Sequence, residues 1–89
     1  MRIKDGFKVV NYHGQNTVVA DTAAKGGLDN NIVLTDTSLF LWNLLKSRDV
    51  SKTEMLDALL KNFEISTVLA LSDIDVFLRT MKENGLIEE

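Results

Sequence analysis

Short β-branched and aromatic runs open the chain and predict a β-hairpin. Residues 7–12 and 17–20 are runs of this kind, separated by residues 13–16. Gly14 and Asn16 lie in the connection and are residue types that adopt the positive φ a hairpin turn requires. The first third of the chain is therefore predicted to form two antiparallel strands.

A third strand is predicted after a loop. Residues 21–31 contain Gly26-Gly27 and Asp29-Asn30-Asn31, which favour irregular structure. The apolar run Ile32-Val33-Leu34 then reads as a very short strand. It ends where Thr35 and Asp36 offer side-chain oxygens to the amides of a helix start.

Apolar residues at three- and four-residue spacing predict three helices in the rest of the chain. The first is expected over residues 36–46. The second begins at the capping box Ser51-Lys52-Thr53-Glu54, and the third is capped by Ser66 or Thr67 and ends at Asn84-Gly85. The buried stripe of the second helix is predicted to be Met55, Leu56, Leu59, Leu60 and Phe63, and that of the third Ala70, Ile74, Phe77, Leu78 and Met81.

These elements predict an α+β fold, with a three-stranded antiparallel sheet followed by three helices in a winged-helix-like arrangement. At 89 residues the chain is expected to form one domain spanning residues 1–89. Leu86-Ile87 is expected to leave the third helix as a short extended tail.

Composition narrows the classes of function. The chain has no cysteine and a single histidine, His13, so cysteine chemistry and histidine-based metal sites are not expected. A net charge of −3 offers little attraction to nucleic acid or to an anionic membrane. No apolar stretch approaches the roughly 20 residues that span a bilayer, so a cytoplasmic protein is expected. Neither a cofactor nor a catalytic centre is expected.

Several short motifs follow one another along nearly the whole chain: Gly6-Phe7, Val18-Val19, Ala23-Ala24-Lys25, residues 32–37, Phe40-Leu41-Trp42, Asp73-Ile74, Phe77-Leu78 and Gly85-Leu86. Taken in this order, they resemble the PqqD family, whose members are grouped as recognition elements for ribosomally made, post-translationally modified peptides. Each motif is mostly hydrophobic spacing, and the specificity lies in their combination across nearly the whole chain. The sequence departs from the commonest family pattern at Asn30-Asn31 and at Leu39.

This resemblance implies a non-catalytic peptide chaperone. Such a protein binds the leader segment of a precursor peptide and presents the precursor to a modifying enzyme, often a radical S-adenosylmethionine enzyme. The leader is expected to add as an antiparallel strand to the edge of the third strand, in a cleft against the third helix. The strand side of this site is predicted to be Asn31, Ile32, Val33 and Leu34.

The third helix has a second face that fits the helical side of such a cleft. Leu69, Asp73, Val76 and Thr80 follow each other at spacings of four, three and four residues, beside the core stripe. Leu69 and Val76 are apolar, whereas a fully solvated face is more often polar throughout. These four residues complete the predicted peptide-binding site, although peripheral packing explains them equally well from the sequence alone.

Two other classes of function remain open. A winged-helix DNA-binding regulator has the same fold, but its third helix should carry basic and amide side chains. This helix instead has mixed charge, with Asp73, Asp75 and Glu83 against Arg79 and Lys82. A dimerisation module is the other alternative, because an uncovered strand edge also pairs with its own copy.

Overall fold

The computed structural model describes residues 1–20 and 32–88. The chain forms β1 (Arg2–Ile3), β2 (Phe7–Tyr12), β3 (Gln15–Ala20), β4 (Ile32–Leu34), α1 (Asp36–Ser47), α2 (Lys52–Asn62), α3 (Thr67–Glu83) and β5 (Ile87–Glu88). The predicted α+β architecture is confirmed: β2, β3 and β4 form an antiparallel sheet in that order, followed by three helices. The predicted loop 21–31 lies outside the described residues.

The hairpin turn is shorter than predicted. Residues 13–16 were expected to form the turn, but Gln15 and Asn16 belong to β3 and pair with Tyr12 and Asn11. The turn consists of His13 and Gly14, with φ of +52° and +82°, as a two-residue type I′ turn requires. The Asn11 side chain accepts a hydrogen bond from the Gly14 N–H at 3.2 Å, which favours this tight connection.

All three helices begin as predicted, at side-chain caps. The Thr35 hydroxyl caps α1, Ser51 and Glu54 form both hydrogen bonds of the capping box at α2, and Ser66 caps α3. At the other end of α3, Gly85 has φ of +70°, the left-handed conformation that often ends a helix. α1 extends one residue beyond the predicted end, to Ser47.

A second, two-stranded sheet was not predicted. β1 pairs antiparallel with β5, with Ile3 opposite Ile87, and the Lys4 N–H donates to the Leu86 carbonyl at 2.9 Å. The tail after α3 is therefore paired with the beginning of the chain. Ile3 and Leu86 are both fully buried, so this pairing closes one end of the core.

The core lies between the helices and the inner face of the main sheet. All five residues of the predicted α3 stripe are buried, whereas in α2 only Met55 and Leu59 are buried and Leu60 is exposed. Trp42 is a core residue with 2% exposure. The buried apolar side chains are Ile3, Val18, Ile32, Leu34, Leu41, Trp42, Leu45, Val50, Met55, Leu59, Ala70, Ile74, Phe77, Leu78, Met81 and Leu86.

Candidate functional site: an open strand edge beside α3

β4 is the last strand of the main sheet that the described residues form. It pairs with β3 on one side, with Thr17 opposite Val33. A strand at the end of a sheet has main-chain N–H and C=O groups on its outer side that a further strand can use. The direction of these groups follows from the strand register.

The hairpin determines which way β3 directs its main chain. In a two-residue hairpin the pair that closes the turn, here Tyr12 and Gln15, is a hydrogen-bonded pair. Because hydrogen-bonded and non-hydrogen-bonded pairs alternate, Gln15 and Thr17 direct their main-chain groups towards β2. Asn16 lies between these two residues and Val18 follows them. Both therefore direct their main-chain N–H and C=O groups towards β4.

The same alternation assigns the main-chain groups of β4. Leu34 and Ile32 lie opposite Asn16 and Val18, so these two β4 residues are hydrogen-bonded to β3. Val33, between them, directs its N–H and C=O away from β3, to the outer side of the sheet. The centre of β4 thus presents one donor and one acceptor to an added strand.

The side chains of β4 alternate between the two faces of the sheet. Ile32 and Leu34 are each 5% exposed and point into the core, whereas Val33 is 48% exposed on the opposite face. Val33 therefore contributes its main chain to the strand edge and its side chain to the outer face of the sheet.

A cleft of about 150 Å³ lies between β4 and α3. Val76 and Thr80 line it from the partly exposed side of α3, and the buried Phe77 and Met81 contribute from the core side. The described residues that line it are Ile32, Val33, Leu34, Thr35, Ser38, Val76, Phe77, Thr80 and Met81. An apolar space thus adjoins the strand edge at Val33.

Hydroxyl groups at the start of α1 also line the cleft, from Thr35 and Ser38. The Thr35 hydroxyl accepts from the Ser38 N–H at 3.3 Å and donates to the Ser38 hydroxyl at 3.1 Å. Nearby, the Thr37 hydroxyl donates to the Asp73 carboxylate at 3.2 Å. This contact joins the first turn of α1 to the middle of α3.

The cleft brings together five of the eight residues predicted for the site: Ile32, Val33, Leu34, Val76 and Thr80. Leu69 is 58% exposed in the first turn of α3 and does not line the cleft. Asp73 is partly buried and contacts Thr37 instead of lining it. Asn31 lies outside the described residues.

Four lining residues were not predicted as part of the site. Phe77 and Met81 were interpreted only as core, and Thr35 only as a helix cap. Ser38 carried no sequence signal beyond its place in the first turn of α1. The position of Thr35 directly after the predicted edge strand was the one available hint, because the residue that follows an edge strand lies at the end of any groove beside it.

Ionic interactions in the described part of the chain support the helices at a distance from the cleft lining. A hydrogen bond from Arg48, at 2.7 Å, and one from the Ser51 N–H hold the pKa of Glu54 below its usual value. The pKa of Asp49 is lowered by its hydrogen bond and ion pair with the amino group of Met1, at 2.8 Å. Both carboxylates are exposed and serve the start of α2 and the beginning of the chain.

The described residues contain no group of three or more His, Asp and Glu side chains arranged to hold a metal ion. In the same residues, no helix is long and apolar enough to cross a membrane. What the cleft and the strand edge offer chemically is main-chain hydrogen bonding next to an apolar surface, which is the geometry of a peptide-binding site.

Fold and site together define an α+β domain of winged-helix-like architecture, with a strand edge at β4 that no described strand covers. Over residues 15–87 the sequence matches the family described as coenzyme PQQ synthesis protein D (PqqD). The chain belongs to the PqqD family, and the resemblance seen in its motifs is confirmed. No curated protein matches the chain.

A solved structure shares this fold. TbiB1, in a structure described as its complex with the TbiA(beta) leader peptide, is 18% identical and superposes with a TM-score of 0.69. The match covers 99% of this chain and 95% of that one. At this level of identity the similarity shows a common fold along the whole chain.

Proposed function

We propose that this protein binds the leader segment of a ribosomally made precursor peptide by β-strand addition to β4. The observation that carries the proposal is the outward direction of the Val33 N–H and C=O beside a preformed apolar cleft. Membership of the PqqD family and the leader-peptide complex of TbiB1 support the same conclusion.

Main-chain hydrogen bonds at Val33 supply affinity that does not depend on the sequence of the peptide, and the cleft supplies selectivity. In this proposal Asn31, Ile32, Val33 and Leu34 form the strand side of the site. Leu69, Asp73, Val76 and Thr80 form the helical side, so that the peptide contacts α3 beyond the cleft itself. Apolar side chains of the leader are favoured because Val76 exposes 53% of its surface next to the cleft.

The protein then acts as a non-catalytic chaperone in the cytosol and presents the precursor to a modifying enzyme, such as a radical S-adenosylmethionine enzyme. This second part predicts genes for a short precursor peptide and a modifying enzyme next to the gene for this chain. If the neighbouring enzyme modifies its precursor equally fast with and without this protein, the presenting role is wrong.

Self-association is a second candidate function, favoured by the same strand edge. Two copies of β4 related by a two-fold axis at Val33 satisfy both of its outward groups reciprocally. DNA binding is disfavoured because α3 has mixed charge, with Asp73, Asp75 and Glu83 against Arg79 and Lys82. Lys52, a nearby cation on α2, is paired with Asp75 at 2.6 Å.

The test uses one defined probe, the tightest binder that the wild-type protein selects from a display library of random twelve-residue peptides. On titration of this peptide into ¹⁵N-labelled protein, we expect the amide signals of residues 31–35 to shift and those of Ser51 to Glu54 to stay in place. Largest shifts on α2 contradict the proposal. If the amide signals of residues 31–35 instead shift with protein concentration when no peptide is present, the strand edge pairs with its own copy and the protein is a dimer.

A further inference from the structure

The outer face of the main sheet adjoins the strand edge at Val33. Val10, Thr17 and Val33 lie directly opposite one another across β2, β3 and β4, so their side chains form one row. This row lies on the face away from the core, because Val18 and the β4 neighbours of Val33 are buried on the other face. Val33, at the end of the row, has its edge side uncovered by any described strand.

An added antiparallel strand must continue this alternation. The peptide residue that exchanges both hydrogen bonds with Val33, here named residue p, has its side chain on the same face as Val33. The side chains of residues p−1 and p+1 point to the opposite face, towards Val76, Phe77 and Thr80 in the cleft. One leader segment is thus contacted on both faces of the sheet.

We propose that Val33 sets the register of the leader and selects the side chain at position p on the outer face. The proposal rests on the proposed function and adds to it a three-residue recognition pattern. Apolar residues occupy p−1 and p+1 in the cleft, and a β-branched or aromatic residue at p packs on Val33. That chemistry follows from Val33, because aromatic and β-branched partners stabilise a valine across a strand pair.

N-methylation of successive residues of the selected peptide tests the register. At residue p the methyl group removes the N–H that donates to the Val33 carbonyl and crowds the strand interface. We expect affinity to fall by roughly tenfold or more there, the effect of losing one or two main-chain hydrogen bonds. The N–H groups of p−1 and p+1 point away from β4, so methylation there should change affinity by less than about threefold.

A charge exchange tests the contact on the outer face. Val33→Glu should weaken binding of the selected peptide, and the same peptide with lysine at p should bind Val33→Glu roughly two- to fivefold more tightly than it binds the wild type. This preference should decrease with added salt. Val68→Glu is the control protein, because it makes the same substitution at a valine that is 77% exposed in the first turn of α3 and lines neither the cleft nor the outer face around Val33. It should show no preference for lysine at p.

Position p+1 provides the control peptide. Lysine at p+1 points into the cleft and should weaken binding to the wild type and to Val33→Glu alike. The inferred register is wrong if lysine at p−1 or p+1, and not at p, restores the affinity of the peptide for Val33→Glu. It is also wrong if methylation lowers the affinity equally at all three positions. In both cases peptide binding itself stands. If the wild-type protein selects no peptide at all, the proposed function fails and this inference fails with it.

Discussion

Replacement of Val76 by aspartate tests the helical wall of the cleft. Val76 lines the cleft and is 53% exposed, so about half of its side chain is available to a bound peptide. Aspartate keeps a short side chain but adds a charge on the surface that the peptide is expected to cover. It also lies three residues from Asp73, on a neighbouring part of the helix surface.

The size of the effect follows from these burial values. Complete burial of a valine side chain contributes about 1.5–3 kcal/mol, so the exposed half contributes about 0.8–1.5 kcal/mol on peptide binding. Partial desolvation of the new carboxylate adds to this loss. We expect the binding free energy to weaken by about 1–3 kcal/mol, which raises Kd roughly 5- to 150-fold.

The assay combines a calorimetric titration of the selected peptide with a thermal melt of the same variant. Valine and aspartate have similar helix propensity, so the melting temperature should change by no more than a few degrees. Val68→Asp is the matched control, with the same charge change on the same helix at a side chain that is 77% exposed and does not line the cleft. It should leave Kd within about twofold of the wild type.

Two outcomes refute the reasoning. A melting temperature lowered by many degrees shows that Val76 supports the fold. Unchanged affinity together with an unchanged melt shows that Val76 is ordinary surface, and either result removes α3 from the proposed site.

Three further predictions concern the helices and the class of function. Ser51→Ala should lower the free energy of unfolding by about 1 kcal/mol, measured by urea denaturation, because it removes one half of the capping box. The pKa of Glu54 is lowered in the folded protein, so its stabilising effect is present above the usual pKa of 4.5 and is lost as the pH falls through the folded pKa. Glu54→Gln should remove this part of the acid dependence of stability, which thermal melts between pH 6 and pH 3 measure. The protein should show no sequence-selective binding to duplex DNA at physiological salt, and nanomolar selective retention would reverse the ranking of functions.

The elements that sequence predicted well have local causes. Helix starts at Ser51 and Ser66 depend on side chains within three residues, and the core stripe of α3 depends on the helical period. The register of the hairpin was predicted less well, because His13 takes the positive φ that was expected of Asn16. An asparagine is the commoner residue in that conformation, so the sequence favoured the wrong position.

The pairing of β1 with β5 had no local signal. Each strand has two residues, too few to show an alternating pattern, and the partners lie at opposite ends of the chain. Their pairing depends on α3 bringing Leu86 back to the core beside Ile3. Such contacts follow from tertiary packing and are not encoded within either segment.

The cleft itself was only partly predictable. The helical period correctly put Val76 and Thr80 beside the core stripe, on the side that lines the cleft. It gave no information on how far the cleft extends along α3. Leu69 shares their face but lies seven residues before Val76, about 10 Å along the helix axis, and does not line the cleft.

The most direct test of strand addition is a nuclear Overhauser measurement on the protein bound to the selected peptide, with only the protein isotope-labelled. We predict cross-peaks between the Val33 amide proton and the main chain of one peptide residue, together with cross-peaks from its neighbours to the Val76 methyl groups. Peptide contacts confined to the polar surface between Arg48, which follows α1, and Lys61 on α2, with none to Val33, would contradict the account.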